Sequence, residues 1–132
     1  MKQILFLLVL TSVAGCSGSP TDPLADLTRG RLAGIVTIGP NCPVEQPGSP
    51  CPTPPSAYSL RKVLIYNAAG SNLLHTVDIS SQGAYLIDLP VGTYTLNVKK
   101  LDLDRVDGVP RTIMVLKNGV TTVNLAIDTG IR

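Results

Sequence analysis

The 132-residue chain has no tryptophan, one phenylalanine and one histidine, and only 15% of its residues are charged. Each shortage excludes something. A general base must reach a nucleophile or an orienting carboxylate. His75 stands alone: Asp78 lies three positions on, which in an extended strand is the opposite face. His75 is therefore expected as a surface strand residue. Eleven basic against nine acidic residues argue against a nucleic-acid partner, which would need a basic face. No phosphate-cradling glycine loop, paired catalytic carboxylates or C-x-x-C motif occurs. No apolar run approaches the roughly 20 residues that span a bilayer. The expectation is a protein that is not an enzyme, with no catalytic residues and no cofactor.

What is present begins at the N-terminus. Lys2 precedes an unbroken apolar run, Ile4 to Leu10, and Val13-Ala14-Gly15-Cys16 follows. Small residues before a cut, after a short apolar stretch, are the pattern of a signal peptide. With cysteine at the next position the segment resembles a bacterial lipoprotein signal. The resemblance implies cleavage after residue 15, a diacylglyceryl group on the Cys16 thiol, and a membrane anchor of two or more acyl chains, enough for stable attachment. The protein would then sit on the cell membrane or outer membrane, facing the periplasm or the exterior. Ser17, where inner-membrane lipoproteins commonly carry Asp, favours the outer membrane. Without Lys2 the remaining chain has ten basic and nine acidic residues. Overall charge thus gives no reason for attraction to a membrane surface beyond the anchor. Residues 16–29 read as a polar tether with a reach of about 20 Å, and residues 30–132 as one domain.

Two cysteines remain, Cys42 and Cys51. In an exported chain an even pair is expected to form a disulfide; a zinc site is the poorer alternative, since no histidine stands near. They lie within residues 39–57, which hold seven prolines. Such a segment is expected to form neither central strand nor helix. The rest reads as short strands between turns: Leu32–Ile38, Leu60–Asn67, Leu73–Ile79, Ala84–Leu89, Thr93–Lys99, Arg111–Leu116 and Val120–Ile127. Tyr85, Ile87 and Leu89 share one face. Tyr94, Leu96 and Val98 share another, in the clearest period-2 run of the chain. Leu89-Pro90-Val91-Gly92 suits a tight turn. Asn118-Gly119 between the last two apolar runs signals a hairpin. Residues 100–110 read as a polar loop. Seven strands at this spacing predict an all-β fold, a single antiparallel seven-stranded β-sandwich of the prealbumin or immunoglobulin-like kind.

The run Gly83-Ala84-Tyr85-Leu86-Ile87-Asp88-Leu89-Pro90-Val91-Gly92-Thr93-Tyr94-Thr95-Leu96 resembles the G-x-F-x-V-x-L-P-x-G-x-Y-x-L core of carboxypeptidase regulatory-like domains, also described as transthyretin-like or Cna-B-like. Residues 31–132 are covered. The resemblance implies a sandwich that spaces, adheres or binds and has no chemistry of its own. Some Cna-B-like domains carry a Lys–Asn isopeptide with the lysine on the first strand. Here that strand offers Arg29 and Arg31, so no such crosslink is expected.

Two weaker candidates for ligand binding remain. Asp102, Asp104 and Asp107, with Gly108, match an EF-hand calcium loop in outline only: the third Asp is one residue late, the downstream Glu is missing and Arg105 intervenes. A solvated loop is the better reading. Tyr85 and Tyr94 fit the core pattern, which leaves Tyr58 and Tyr66 as the material for a carbohydrate platform. Two functions stay open. The first is a structural or protein-interaction module of the cell envelope, which would expose an apolar patch or an open edge strand. The second is a carbohydrate or calcium module, which would expose a tyrosine pair or a carboxylate cluster.

Overall fold

The computed structural model describes residues 28–132. The expected lipoprotein signal, Cys16 and most of the expected tether lie outside the described residues. Nine strands are seen: β1 (Arg29–Gly39), β2 (Lys62–Tyr66), β3 (Leu73–Asp78), β4 (Ala84–Pro90), β5 (Gly92–Lys99), β6 (Arg105–Val106), β7 (Arg111–Val115), β8 (Val120–Thr122) and β9 (Leu125–Asp128). One sheet has the order β4-β1-β9-β6, with β8 also paired to β1; the other has the order β3-β2-β5-β7. The two enclose a core that includes Leu32, Val36, Val63, Ile65, Tyr85, Leu89, Leu96, Val115 and Ile127. The expected faces are observed: Tyr94, Leu96 and Val98 are buried on β5, and Tyr85 and Leu89 on β4 with Ile87 packed beside them. Among the described residues no helix is long and apolar enough to cross a membrane.

The strand count and the pairing differ from expectation. The last run, Val120–Ile127, divides into β8 and β9. Both lie parallel to β1, β8 along Arg31–Ala33 and β9 along Val36–Gly39. Between them the Asn124 side chain accepts from the Ile35 N–H (3.0 Å) and the Val123 N–H donates to the Ala33 carbonyl (2.9 Å). A side chain thus substitutes for one rung of the ladder, and the strand breaks there. The sandwich is therefore mixed, with nine strands, and is not the purely antiparallel seven-stranded one expected. The Asn118-Gly119 turn forms, with Asn118 at φ 52°, but it joins the two sheets: β7 pairs with β5, and β8 with β1. The ninth strand, β6, comes from the loop 100–110 and pairs with the end of β9.

The proline-rich segment also contains a short helix, α1 (Pro55–Ser59), contrary to expectation. Proline is tolerated in a first helical turn, where its missing N–H would have no partner. Cys42 and Cys51 are joined in a disulfide, with their Cα atoms 6.1 Å apart.

The inner face of β1 reads Gly30, Leu32, Gly34, Val36, Ile38, all buried. Gly34 lets the chain at Val123 pass close by. A methyl group there would meet the Val123 carbonyl oxygen and stand 2.8 Å from the Tyr85 ring. That carbonyl accepts the Tyr85 hydroxyl at 2.6 Å. Burial, only partly offset by the positive charge of Arg111, pushes the Tyr85 pKa up to about 12, so the phenol stays a donor. Gly34→Ala is expected to cost at least about 2 kcal/mol by overpacking, read in urea melts; an unchanged midpoint would contradict this close approach.

Candidate functional site

The sandwich has two ends. At one, the chain enters through Thr28. At the other lies a cleft of about 540 Å³, bordered by the end of β1, α1, residues 101–104 and the C-terminal residues Thr129 and Ile131. Each wall is fixed by local chemistry. Asn41 pins the disulfide loop to the sheet: its side-chain amide donates to the Ile38 carbonyl (3.0 Å), the Cys51 carbonyl (3.3 Å) and the Thr53 hydroxyl (2.9 Å). Thr129 ties the C-terminal segment to the same corner, its N–H donating to the Gly39 carbonyl at 3.1 Å.

The floor holds an ion pair. Arg61 and Asp104 are only 4% and 3% exposed. The Arg61 guanidinium grips the carboxylate with two hydrogen bonds, from Nε at 2.6 Å and Nη2 at 2.7 Å. Its Nη1 donates to the Ala57 carbonyl (2.8 Å), and the Leu101 N–H donates to the Asp104 carboxylate (2.9 Å). The pair thus joins α1, the start of β2 and the 101–104 turn. Burial works to raise the Asp104 pKa. The Arg61 hydrogen bonds, the Leu101 N–H and the nearby positive charges outweigh it and hold the carboxyl below its ordinary value.

The rim is apolar and open. Leu60 is 56% exposed, Leu101 41%, Leu103 73% and Ile131 37%. Exposed apolar side chains gathered around a concavity mark a binding surface. The buried side-chain nitrogens and oxygens of the described residues all have hydrogen-bond partners, and the bonds of the ion pair, which tie α1 to the 101–104 turn, brace the cleft. What the site can do chemically is receive apolar side chains.

The residues singled out from sequence are dispersed. His75 is exposed on β3, as expected. Asp102 and Asp107 are exposed, but Asp104 is buried in the Arg61 pair. The three aspartates do not converge, and no cluster of three metal-ligating side chains occurs among the described residues. The solvated-loop reading is corrected at Asp104, because the turn folds it inward onto Arg61. Tyr58, expected to be available on the surface with Tyr66, is buried in the core beneath α1, which removes the tyrosine pair. Arg61 was not legible as a site residue. The one local signal was a charge placed directly before an apolar strand.

No family model matches the chain, and no curated protein sequence does. Among solved structures it is similar to GBS52, the minor pilin of Streptococcus agalactiae, at 14% identity and a TM-score of 0.53, over 77% of this chain and 45% of the pilin chain. It is similar to the Bacillus anthracis TIE protein at 14% identity and a TM-score of 0.51, over 76% of this chain and 16% of that one. A DUF3823 family protein from Parabacteroides merdae aligns at 19% identity and a TM-score of 0.44, over 77% of this chain and 47% of that one. The chain spans less than half the length of each of these structures. At such identities the two higher-scoring likenesses establish the fold, a β-sandwich shared with a pilin subunit.

Proposed function

We propose that this chain is a non-enzymatic, lipid-anchored interaction module of the cell envelope, held through Cys16 and docking a protein partner in the cleft between α1 and the 101–104 turn. The observation that carries this reading is the rim of Leu60, Leu101, Leu103 and Ile131, exposed around a braced concavity. The carbohydrate and calcium alternatives are disfavoured by the same side chains that would serve them: Tyr58 is buried and Asp104 is engaged by Arg61. The resemblance to carboxypeptidase regulatory-like domains, and the fold shared with a minor pilin, agree with a spacing or adhesive role.

Two measurements in the native membrane, lipid labelling and crosslinking, test the two halves. Cys16→Ala should abolish incorporation of labelled fatty acid; continued labelling would sink the anchor. With the anchor intact, Leu103→Asp should weaken crosslinking to the partner roughly fivefold or more, as for loss of an interface anchor worth over 1 kcal/mol. Undiminished crosslinking would place the partner elsewhere than the cleft.

A further inference from the structure

The end opposite the cleft has a different character. β1 runs from Arg29 at the entry end to Gly39 at the cleft, a span of about 35 Å for extended chain. At the entry end the Val91 N–H donates to the Thr28 carbonyl (2.8 Å) and the Asn118 N–H to the Arg29 carbonyl (3.0 Å). These bonds gather the first residues, the β4–β5 turn and the β7–β8 turn into one surface. It exposes Val91 (45%), Leu116 (57%) and Val120 (63%). Arg29, Arg31 and Lys117 are exposed beside them. Asp88 is the one acidic residue there among the described residues, and it is held by Arg31 in two hydrogen bonds. A recess of about 300 Å³ lies among Arg29, Arg31, Asp88, Asn118 and Gly119. The acidic residues Asp102, Asp104, Asp107 and Asp128 all belong to the cleft half, as the pairing of Asp128 with Gly39 and the 101–104 wall show. The cations Arg61, Lys62, Lys99, Lys100, Arg105 and Arg132 balance the acidic residues of that half, Glu45 and Asp78 included, whereas the entry end sets three cations against Asp88 alone among the described residues.

We propose that this end is a membrane-facing surface, which settles on anionic lipid headgroups and turns the cleft outward. The occupant follows from two facts: the chain leading back to Cys16 leaves from the middle of this surface, and its charge is complementary to an anionic bilayer. This rests on the anchored reading above. Exposed Val91, Leu116 and Val120 suit the headgroup boundary, and cations beside them suit anionic lipid. Lys117 forms no ion pair among the described residues, and Arg29 donates to the Asp88 backbone carbonyl (2.8 Å) without an ion pair to its carboxylate. Each cation near such a surface is worth about a fivefold preference, hence about twenty-fivefold for two. That is weak for free binding. It suffices to orient a domain whose anchor already keeps it at the bilayer. On the anchored reading Asp22 and Asp26 belong to the tether in either orientation, so they do not select between orientations.

The test attaches the chain from Cys16 to Arg132 through the Cys16 thiol to a maleimide lipid, so that it does not depend on biological acylation. Vesicles contain either phosphatidylcholine alone or about a third phosphatidylglycerol. A neutral acetylating reagent then labels lysines, read by mass spectrometry. In anionic vesicles Lys117 labelling should fall about tenfold or more relative to neutral vesicles, while Lys99 and Lys100 in the cleft half stay unchanged. About 0.5 M salt should restore it, as should the variant Arg29→Gln with Leu116→Ser. Equal Lys117 labelling in both vesicles, or protection of Lys99 and Lys100 instead, would overturn the proposal. Failure of the anchored reading shows separately, as an unmodified Cys16 in the intact mass of the native chain.

Discussion

Asp104→Ala is expected to lower the melting temperature by about 15 °C or more, the equivalent of roughly 3–5 kcal/mol. The cause is the cation left behind. Arg61 is 4% exposed, and without the carboxylate its charge has no solvent and no counterion. A domain of this size has only about 5–15 kcal/mol of stability in total. The pair itself need not be stabilising relative to an apolar replacement, so Arg61→Met with Asp104→Leu should recover most of the loss. If Asp104→Ala melts with the parent, the ion pair does not brace the cleft floor.

The same pair has a pH signature. The folded Asp104 pKa lies below the ordinary carboxylate value. A depressed pKa contributes stability that is fully present above the unfolded pKa and is lost as pH falls through the folded one. The gap in stability between the parent and Asp104→Asn should therefore be constant near neutrality and shrink as the pH falls through the ordinary carboxylate range and below it. Asp88 and Asp128 are also held low, by Arg31 and Arg132. They are unchanged in both proteins and cancel in the difference. A gap that stays constant through the acid range would mean that Asp104 is not ionised against Arg61.

Tyr94→Ala should cost about 3–5 kcal/mol, as for other truncations of buried aromatics. Tyr94 is 9% exposed, and its hydroxyl donates to the Pro90 carbonyl at 2.8 Å, closing the β4–β5 turn from within. Tyr94→Phe, which keeps the ring and loses only that hydrogen bond, should cost about 1 kcal/mol. Thr95 lies on the other face of β5, where its hydroxyl donates to the Ala68 carbonyl at 3.1 Å. Thr95→Ala should stay within about 1 kcal/mol. Paired denaturant melts of the three variants decide the matter, and equal small losses at Tyr94 and Thr95 would mean that the alternation does not mark a core face.

Alternation was legible because a strand has period 2: Tyr94-x-Leu96-x-Val98 and Tyr85-x-Ile87-x-Leu89 could bury only one face each. Turn positions were legible for an equally local reason, since Pro90 and Gly92, or Asn118 and Gly119, restrict the backbone where they stand. Which strands pair was not legible. Asn118-Gly119 announces a reversal, but whether β8 returns to β7 or crosses to β1 depends on which edge is free. That was settled by the length of β1, long enough for β8 and β9 in tandem, and by Gly30 and Gly34, which leave room beside it. Likewise Pro54-Pro55 reads as a helix breaker until the first-turn tolerance of proline is set against the apolar contact made by Tyr58.

By itself the sequence determined the all-β class, the inward faces and the shortage of catalytic groups, because each follows from residue type and short-range spacing; the pairing of Cys42 with Cys51 was expected only through the reading of an exported chain, and the structure shows it. Only the tertiary structure decided that Arg61 meets Asp104 across 43 positions, that an apolar rim surrounds them, and that Arg29, Arg31 and Lys117 gather at the other end with Asp88 as their one acidic neighbour among the described residues. Those are sums over residues distant in sequence. They acquire a sign and a place only when the sheets bring their members together.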